Sequence, residues 1–306
     1  MIRKRTTSEK RMTQTTISST TQPTVALESA LITHGFDLPA NLEIARQMEA
    51  AVREEEAAPV TIAVLDGKPR IGLSDAELIR LATDRTARKI SLRDLPLVQA
   101  KSLSGGTTVA ATMHLAHRAG IDVMATGGIG GVHRGHSEDV SADLTALAST
   151  PIIVVCAGAK AILDLPRTLE CLETYGVPVI GYGVREGEFP AFYSRLSGLK
   201  VDAQVETPGE IARMAQVRAE LGLRTALLVC VPVPEAEELP AVEAEAVIAQ
   251  AIEEAEATGI SGKRLTPFLL ARIVDLTGGR ARRANESLLL NNARVAARIA
   301  QKLKDT

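Results

Sequence analysis

Short apolar, β-branched runs alternate along the chain with longer runs whose apolar residues recur every three or four positions. Strands are expected at Val25 to Leu31, Val60 to Leu65, Val123 to Thr126, Pro151 to Cys156, Val177 to Gly181 and Ala226 to Val231. A turn at Asp66-Gly67 leads into a short extended piece from Pro69 to Gly72, and Lys89 to Ser91 is another. Helices are expected at Asn41 to Glu56, with Asn41 as N-cap, and at Ser74 to Thr83, opened by the capping pattern Ser74-Asp75-Ala76-Glu77. Further helices follow at Thr107 to Ala119, after a Gly105-Gly106 turn, and at Ser141 to Ser149. Another runs from Lys160 to Tyr175, and the last three are Val242 to Thr258, Pro267 to Leu276 and Glu286 to Lys304. Tyr182 to Glu206 has mixed patterning and reads as an extra hairpin or an inserted flap. Strands alternating with helices predict an α/β fold whose largely parallel sheet is covered on both faces. Ligands then bind at the carboxyl ends of the strands.

Composition narrows the function classes. Hydrophobic residues make up 45% of the 306 positions, enough for a sizeable core, whereas aromatics are 2% and tryptophan is absent. That scarcity disfavours a single-strand nucleic-acid binder, which needs aromatic stacking platforms. With 35 basic and 37 acidic residues the formal net charge is −2, and no long block of one sign interrupts the body. Nucleic acid is therefore not an expected partner, while a small phosphorylated ligand needs only a local site. Cys156, Cys171 and Cys230 are odd in number and far apart, so neither a disulfide framework nor a zinc pattern is expected, and a reducing, cytoplasmic setting is. No apolar run reaches membrane-spanning length, so no membrane partner is expected. Residues 1–22 are rich in Ser and Thr, lack the apolar centre of a secretory signal and read as a disordered tail, with Met12 an alternative start.

Four segments carry candidate chemistry. In PIIVVCAGAKAILDL a buried strand stops at a small-residue turn and Lys160 follows, expected at the opening of a helix. The positive helix end and apolar walls both disfavour an ammonium group there, which leaves an amine able to attack a carbonyl; the alternative is a lysine whose head reaches water. In VALESALITHG, Glu28 interrupts a buried strand, a placement that favours the neutral acid form and proton donation, unless the group is paired with a lysine or with backbone. Lys89 with Gly105-Gly106-Thr107-Thr108-Val109 suggests a phosphate site made of a lysine, hydroxyls and the N–H groups of a helix start, or else an ordinary capped helix. GGIGGVHRGHSEDVSADL lacks the G-x-G-x-x-G spacing of a dinucleotide fingerprint. It reads as a ligand-contacting loop bearing His133, His136, Glu138, Asp139 and Asp143, a donor set suited to Mn or Mg, or as a solvated acidic loop. Asn285 stands at an expected helix start, where a capping role suffices.

The runs VALESALITHG, SLRDLP, GGTTVAATM, ATGGIGGVHRG, DVSADL, VVCAGAKAILDL, ETYGVPVIGY, TPFLLARIVDLTGG and NNA together resemble the pseudouridine-5′-phosphate glycosidase family, also described as indigoidine synthase A-like. The resemblance covers about residues 24 to 300. It implies a three-layer α/β/α sandwich over residues 23–306 with a C-terminal helical segment from about 264. It also implies a homotrimer and reversible cleavage of the C–C glycosidic bond of pseudouridine 5′-phosphate to uracil and ribose 5-phosphate. By motif, Lys160 would be the Schiff-base nucleophile and Glu28 the proton donor. Lys89, Thr108, Val109, Ser141, Ala142 and Asp143 would contact substrate, and His133 and Asn285 would position the sugar ring and the base. Asp139 would hold one divalent ion, Mn by preference, largely through water, and Asp143 is placed to move a proton at the uracil carbon. The sequence departs from the family pattern in a shorter stretch between His133 and Asp139, in Ala30 where Thr is expected, and in Val231 where Asn is expected. Two other readings share these residues: a Schiff-base lyase or aldolase acting on another sugar phosphate, and a sugar-phosphate-binding protein without turnover.

Overall fold

Two strands set the frame of the site. In the computed structural model, which describes residues 22–260 and 265–305, β1 (Thr24–Leu27) lies parallel to the first half of β2 (Ala58–Leu65), with Thr24 opposite Ala58 and Leu27 opposite Thr61. Past Leu27 the chain leaves the sheet and α1 (Ala30–His34) begins, so the strand ends four residues earlier than the apolar run predicted. The expected tail falls almost wholly outside the described residues.

The first half of the chain continues through α2 (Ala40–Glu54), β2, β3 (Lys68–Ile71), α3 (Asp75–Thr83), β4 (Arg88–Ile90) and α4 (Leu95–Ala100), then β5 (Gly105–Thr107), α5 (Val109–Arg118) and β6 (Val123–Ala125). The second half holds β7 (Val132–His133), β8 (His136–Val140), α6 (Ala142–Leu147), β9 (Ile153–Cys156), α7 (Leu165–Thr174), β10 (Val179–Tyr182) and β11 (Ala203–Val205). It closes with α8 (Pro208–Glu220), β12 (Leu227–Cys230), α9 (Ala241–Ala257), α10 (Leu265–Leu276) and α11 (Arg280–Lys304). The main sheet runs β11-β10-β12-β9-β6-β1-β2-β5-β4, with β3 beside β2. Its pairings are parallel except those of β2 with β3 and with β5. The strands near its centre, such as β9 and β12, are buried along their whole length, as a sheet covered on both faces requires. The long α11 packs on β1, β6 and β9 between α2 and α8, and α5 packs with α6 and against β1 and β2.

The structure departs from the sequence reading in instructive places. Gly105-Gly106 is not a turn but a strand. A Cβ at Gly105 would stand 2.1 Å from the Arg88 carbonyl oxygen, and one at Gly106 would stand 2.3 Å from that of Ser29. Both positions exclude side chains because β5 is squeezed between β4 and the exit of β1, and the helix after it starts at Val109. Asn41 is no cap. It lies inside α2, buried, and its amide donates to the carbonyls of Ile32 and Ala82. α11 begins at Arg280, which puts Asn285 in its second turn rather than at its start. α8 was not among the predicted elements, although Thr207 and Glu210 close a capping box around Pro208. Ser74 and Glu77 form the capping box expected of them.

The exit of β1 is fixed by buried hydroxyls. Ser29 Oγ donates to the Ile62 carbonyl at 2.5 Å and accepts from the Thr107 N–H at 2.9 Å. Thr107 Oγ1 donates to the same carbonyl at 2.7 Å and meets Thr112 Oγ1 at 2.8 Å. Replacing Thr107 by the isosteric Val removes one donor and strands another polar group, so Thr107→Val is expected to lower unfolding free energy by about 1–3 kcal/mol. Urea denaturation of the two proteins, with the slope unchanged, measures it.

Candidate active site

The carboxyl ends of the central strands open into one cavity of about 580 Å³. Its wall includes the eleven residues given a role by motif, Glu28, Lys89, Thr108, Val109, His133, Asp139, Ser141, Ala142, Asp143, Lys160 and Asn285, but not Glu138 from the candidate metal-donor set. They come from β4, β7 and β8, from the connections that follow β1, β5, β8 and β9, from the first turns of α5 and α6, and from α11. Such a gathering at strand ends is where open parallel sheets place ligands.

Glu28 is the first residue past β1 and is buried. Thr126, at the end of β6 and fully buried, donates a short hydrogen bond from Oγ1 to Glu28 Oε1. Burial pushes the Glu28 carboxyl above the ordinary carboxylate range; the Lys160 charge and the Thr126 hydroxyl oppose this, Asp143 adds to it and Lys89 opposes it. Desolvation prevails, so the carboxyl holds its proton more tightly than an ordinary glutamate does. On the same wall, burial and the Lys89 charge hold the His34 imidazole below its ordinary value, which favours the neutral ring.

Lys160 is not at a helix start. Residues 157–164 form an irregular connection, and α7 begins only at Leu165, capped by Asp164, whose side chain accepts from the Arg167 N–H. A helix dipole acts over its first turn, so this one does not reach Lys160 from below. Position is set instead by backbone. The Ala157 N–H donates to the Gly127 carbonyl at 2.8 Å, and the Lys160 N–H donates to the Ile129 carbonyl at 3.0 Å. Gly158 turns the chain at φ +86°, and a Cβ there would stand 2.3 Å from the Pro190 carbonyl oxygen. The segment predicted as a hairpin or flap is the source of that contact. It carries isolated bridges between Glu188 and Lys200 and between Ala191 and Ser194, and the Phe192 N–H donates to the Ala157 carbonyl at 3.1 Å. Phe192 adopts φ +64° and lines the cavity, its ring filling the space a side chain at Gly128 would need. The sequence reading had not marked Phe192 or Thr126.

The start of α5 is mostly satisfied from within. Thr108 Oγ1 accepts from the Ala111 N–H, the Thr108 N–H donates to the Ile90 carbonyl at 2.9 Å, and Asp143 Oδ1 accepts from the Ala110 N–H at 3.0 Å. Of the four N–H groups a helix start leaves open, that of Val109 remains for an anion. Asp143 Oδ2 accepts from the Gly130 N–H at 2.8 Å, so this carboxylate ties the glycine loop to two helix starts, and Ser141 Oγ caps α6 by accepting from the Asp143 N–H. Lys89, on β4, stands on the same cavity wall as Val109.

Asp139 lies exposed on β8, whose pairing with β7 makes a two-stranded hairpin out of the shortened stretch. Among the described residues no group of three His, Cys, Asp or Glu side chains is arranged to hold a metal ion. The donor set there suits an ion that keeps most of its water, with one protein carboxylate. Ala30 lines the cavity, whereas Val231 is buried in the core outside its wall. Among the described residues no helix is long and apolar enough to cross a membrane.

A family model described as "Indigoidine synthase A like protein" matches residues 13–302. A pseudouridine-5′-phosphate glycosidase from Caldanaerobacter subterraneus subsp. tengcongensis is 55% identical over 284 residues, 92% of each chain. One from Paracoccus denitrificans is 56% identical over 284 residues, 91% of this chain and 92% of the relative. Among solved structures, an indigoidine synthase A-like protein from Thermotoga maritima superposes with a TM-score of 0.86 at 38% identity, covering 93% of this chain and 94% of that one. The prealnumycin C-glycosynthase AlnA, in complex with ribulose 5-phosphate, gives a TM-score of 0.85 at 38% identity, covering 93% of both chains. With the family match spanning nearly its whole length, the chain belongs to the indigoidine synthase A-like family of pseudouridine-5′-phosphate glycosidases.

Proposed function

We propose that this enzyme reversibly cleaves the C–C glycosidic bond of pseudouridine 5′-phosphate, giving uracil and ribose 5-phosphate, through a Schiff base on Lys160. The observation that carries the reading is the pairing on one cavity wall of Lys160 with a buried Glu28 whose carboxyl is pushed above the ordinary range by burial. A carbon leaving group cannot be released by protonating a glycosidic nitrogen, so an amine that forms an iminium at C1′ answers the chemical difficulty.

In the cleavage direction the Lys160 amine adds at C1′ as the C1′–O4′ bond breaks, and Glu28 gives its proton to O4′. The adduct nitrogen gives up a proton to a carboxylate, which passes it to C5 of the base; the nitrogen lone pair then forms the C1′=N bond, and the C1′–C5 electron pair stays with uracil. Water hydrolyses the imine and releases ribose 5-phosphate and the free lysine. Each Asp143 oxygen keeps a lone pair beyond its backbone bond, so Asp143 is our choice for carrying the C5 proton. Lys89, the Val109 N–H and Thr108 hold the phosphate end, Ser141 and Ala142 border the sugar, and His133 and Asn285 place ring and base. Asp139 would hold the divalent ion, Mn by preference, largely through water. Such an ion supplies positive charge to substrate oxygens. A homotrimeric, cytoplasmic enzyme, with its α/β unit and C-terminal helices as one domain, completes the proposal.

Borohydride reduction in the presence of ribose 5-phosphate, read by peptide mass spectrometry, tests it. A reduced sugar-phosphate adduct on Lys160, absent from Lys160→Ala, is the expected result. An adduct on another lysine, or none despite bound sugar phosphate, sinks the mechanism. Glu28→Gln is expected to lower kcat by about 10²- to 10⁴-fold, the usual weight of a general acid, in uracil-release assays. The same substitution separates stability from activity. A carboxyl whose folded-state pKa is raised loses stabilisation as pH climbs from the ordinary carboxylate range to the raised value, because the native state must then give up a proton it holds favourably. Glu28→Gln is therefore expected to raise Tm at neutral pH, with the gain shrinking in acid; a gain independent of pH would contradict the burial argument.

A further inference from the structure

The face α11 turns to the sheet is built of Ala, Val, Leu and Ile, with one polar exception. Asn292 is fully buried. Its Nδ2 donates to the Thr126 carbonyl at 2.8 Å and reaches the Gly127 carbonyl at 3.4 Å, while its Oδ1 has no partner among the described residues. Carbonyl oxygens only accept, so the amide has one admissible orientation, with the NH₂ end toward residues 126 and 127. A buried amide left half unsatisfied weakens a core that an apolar side chain of similar volume would fill without that cost. Its presence calls for a reason other than packing.

The two carbonyls lie where both arms of the site meet. Thr126 Oγ1 donates to Glu28, and the Thr126 N–H donates to the Val155 carbonyl at 3.0 Å. The Gly127 carbonyl also accepts from the Ala157 N–H at 2.8 Å, at the head of the turn that carries Lys160. Asn292 itself is not on the cavity wall. We propose that Asn292 is a positioning residue for both catalytic groups, holding the 126–127 backbone so that the Thr126 hydroxyl stays on Glu28 and the 157–160 turn stays in register. The inference rests on reading Glu28 and Lys160 as the catalytic pair. The charged groups that act on Glu28 are Lys160, Asp143 and Lys89, and none of them belongs to α11, so Asn292 reaches Glu28 through Thr126.

The test is Asn292→Leu, with Thr126→Val and the double variant. In the folded Asn292→Leu protein, kcat for uracil release is expected to fall by roughly 10- to 100-fold, the scale of a small misplacement of reacting groups, with KM nearly unchanged. The Glu28 titration midpoint, followed by infrared difference spectroscopy against Glu28→Gln, is expected to move to higher pH, because the Thr126 hydroxyl bond that favours the ionised carboxyl is lost. The effects of Asn292→Leu and Thr126→Val should be strongly non-additive. If Asn292→Leu fails to fold, Asn292→Ser, which keeps one donor on a shorter arm, is read for the same midpoint shift. An unmoved midpoint with additive losses, or an unchanged kcat, overturns the inference and leaves Asn292 a structural residue. The Glu28 midpoint is measurable whether or not an adduct forms on Lys160, so failure of the Schiff-base reading and failure of this inference are told apart.

Discussion

A carboxyl group buried at the end of a strand is the constraint on which the rest of the site depends. Burying Glu28 costs stability unless the group stays neutral or finds partners. Here it does both in part. Desolvation holds the proton on, while one hydroxyl, from Thr126, fixes the direction of the group. The fold has to deliver that hydroxyl, and β1 and β6 do so by lying side by side with Leu27 opposite Ala125, so that the residues just past each strand meet at the cavity floor. The sheet register therefore decides the chemistry before any loop is considered. A one-residue slip would turn Glu28 to the other face of the sheet.

Close backbone approach is the second condition. Side chains are excluded at Gly105 and Gly106, where β5 passes the exit of β1, and at Gly130, where a Cβ would stand 2.2 Å from Ser141 Oγ. These glycines are not there for flexibility. They let backbone N–H groups come within reach of side-chain oxygens, as Gly130 does with Asp143. Asp143 thus resembles a keystone more than an isolated reagent, since releasing it would free the glycine loop and the starts of α5 and α6 together.

Much of this was legible in the sequence. Apolar runs located the central strands because a doubly covered parallel sheet needs continuous burial. The unusual polar residues Glu28, Lys160 and Asp143, set against apolar or glycine-rich neighbours, marked the cavity. What failed did so for physical reasons. Gly105-Gly106 reads as a turn from local propensity, yet tertiary crowding makes it a strand. Lys160 reads as a helix start because apolar and small residues follow it, but the cap is Asp164, with Pro166 in the first turn. Thr126 and Asn292 carry no local signal, since the partners that give them meaning lie 98 and 166 residues away in the chain. Phe192 was hidden in a segment without periodicity, where a left-handed backbone and a bond to Ala157 replace regular structure.

The distribution of N–H groups at α5 bears on how a phosphorylated substrate is held. A helix start with four open donors attracts an anion by itself. Here the Ile90 carbonyl, the Thr108 hydroxyl and Asp143 answer three of the four, and the Asp143 carboxylate stands at the very end an anion would seek. In the proposed site, attraction for a phosphate would come mainly from Lys89, with the Val109 N–H giving direction rather than strength. The two aims conflict at one helix end: the carboxylate that organises the glycine loop weakens the anion site beside it. The lysine on β4 offsets that conflict, and since its charge also favours the ionised form of Glu28, filling the phosphate site would reduce that influence and raise the Glu28 pKa further. In the proposed mechanism, filling the phosphate site at Lys89 would thereby tune Glu28, the proposed proton donor.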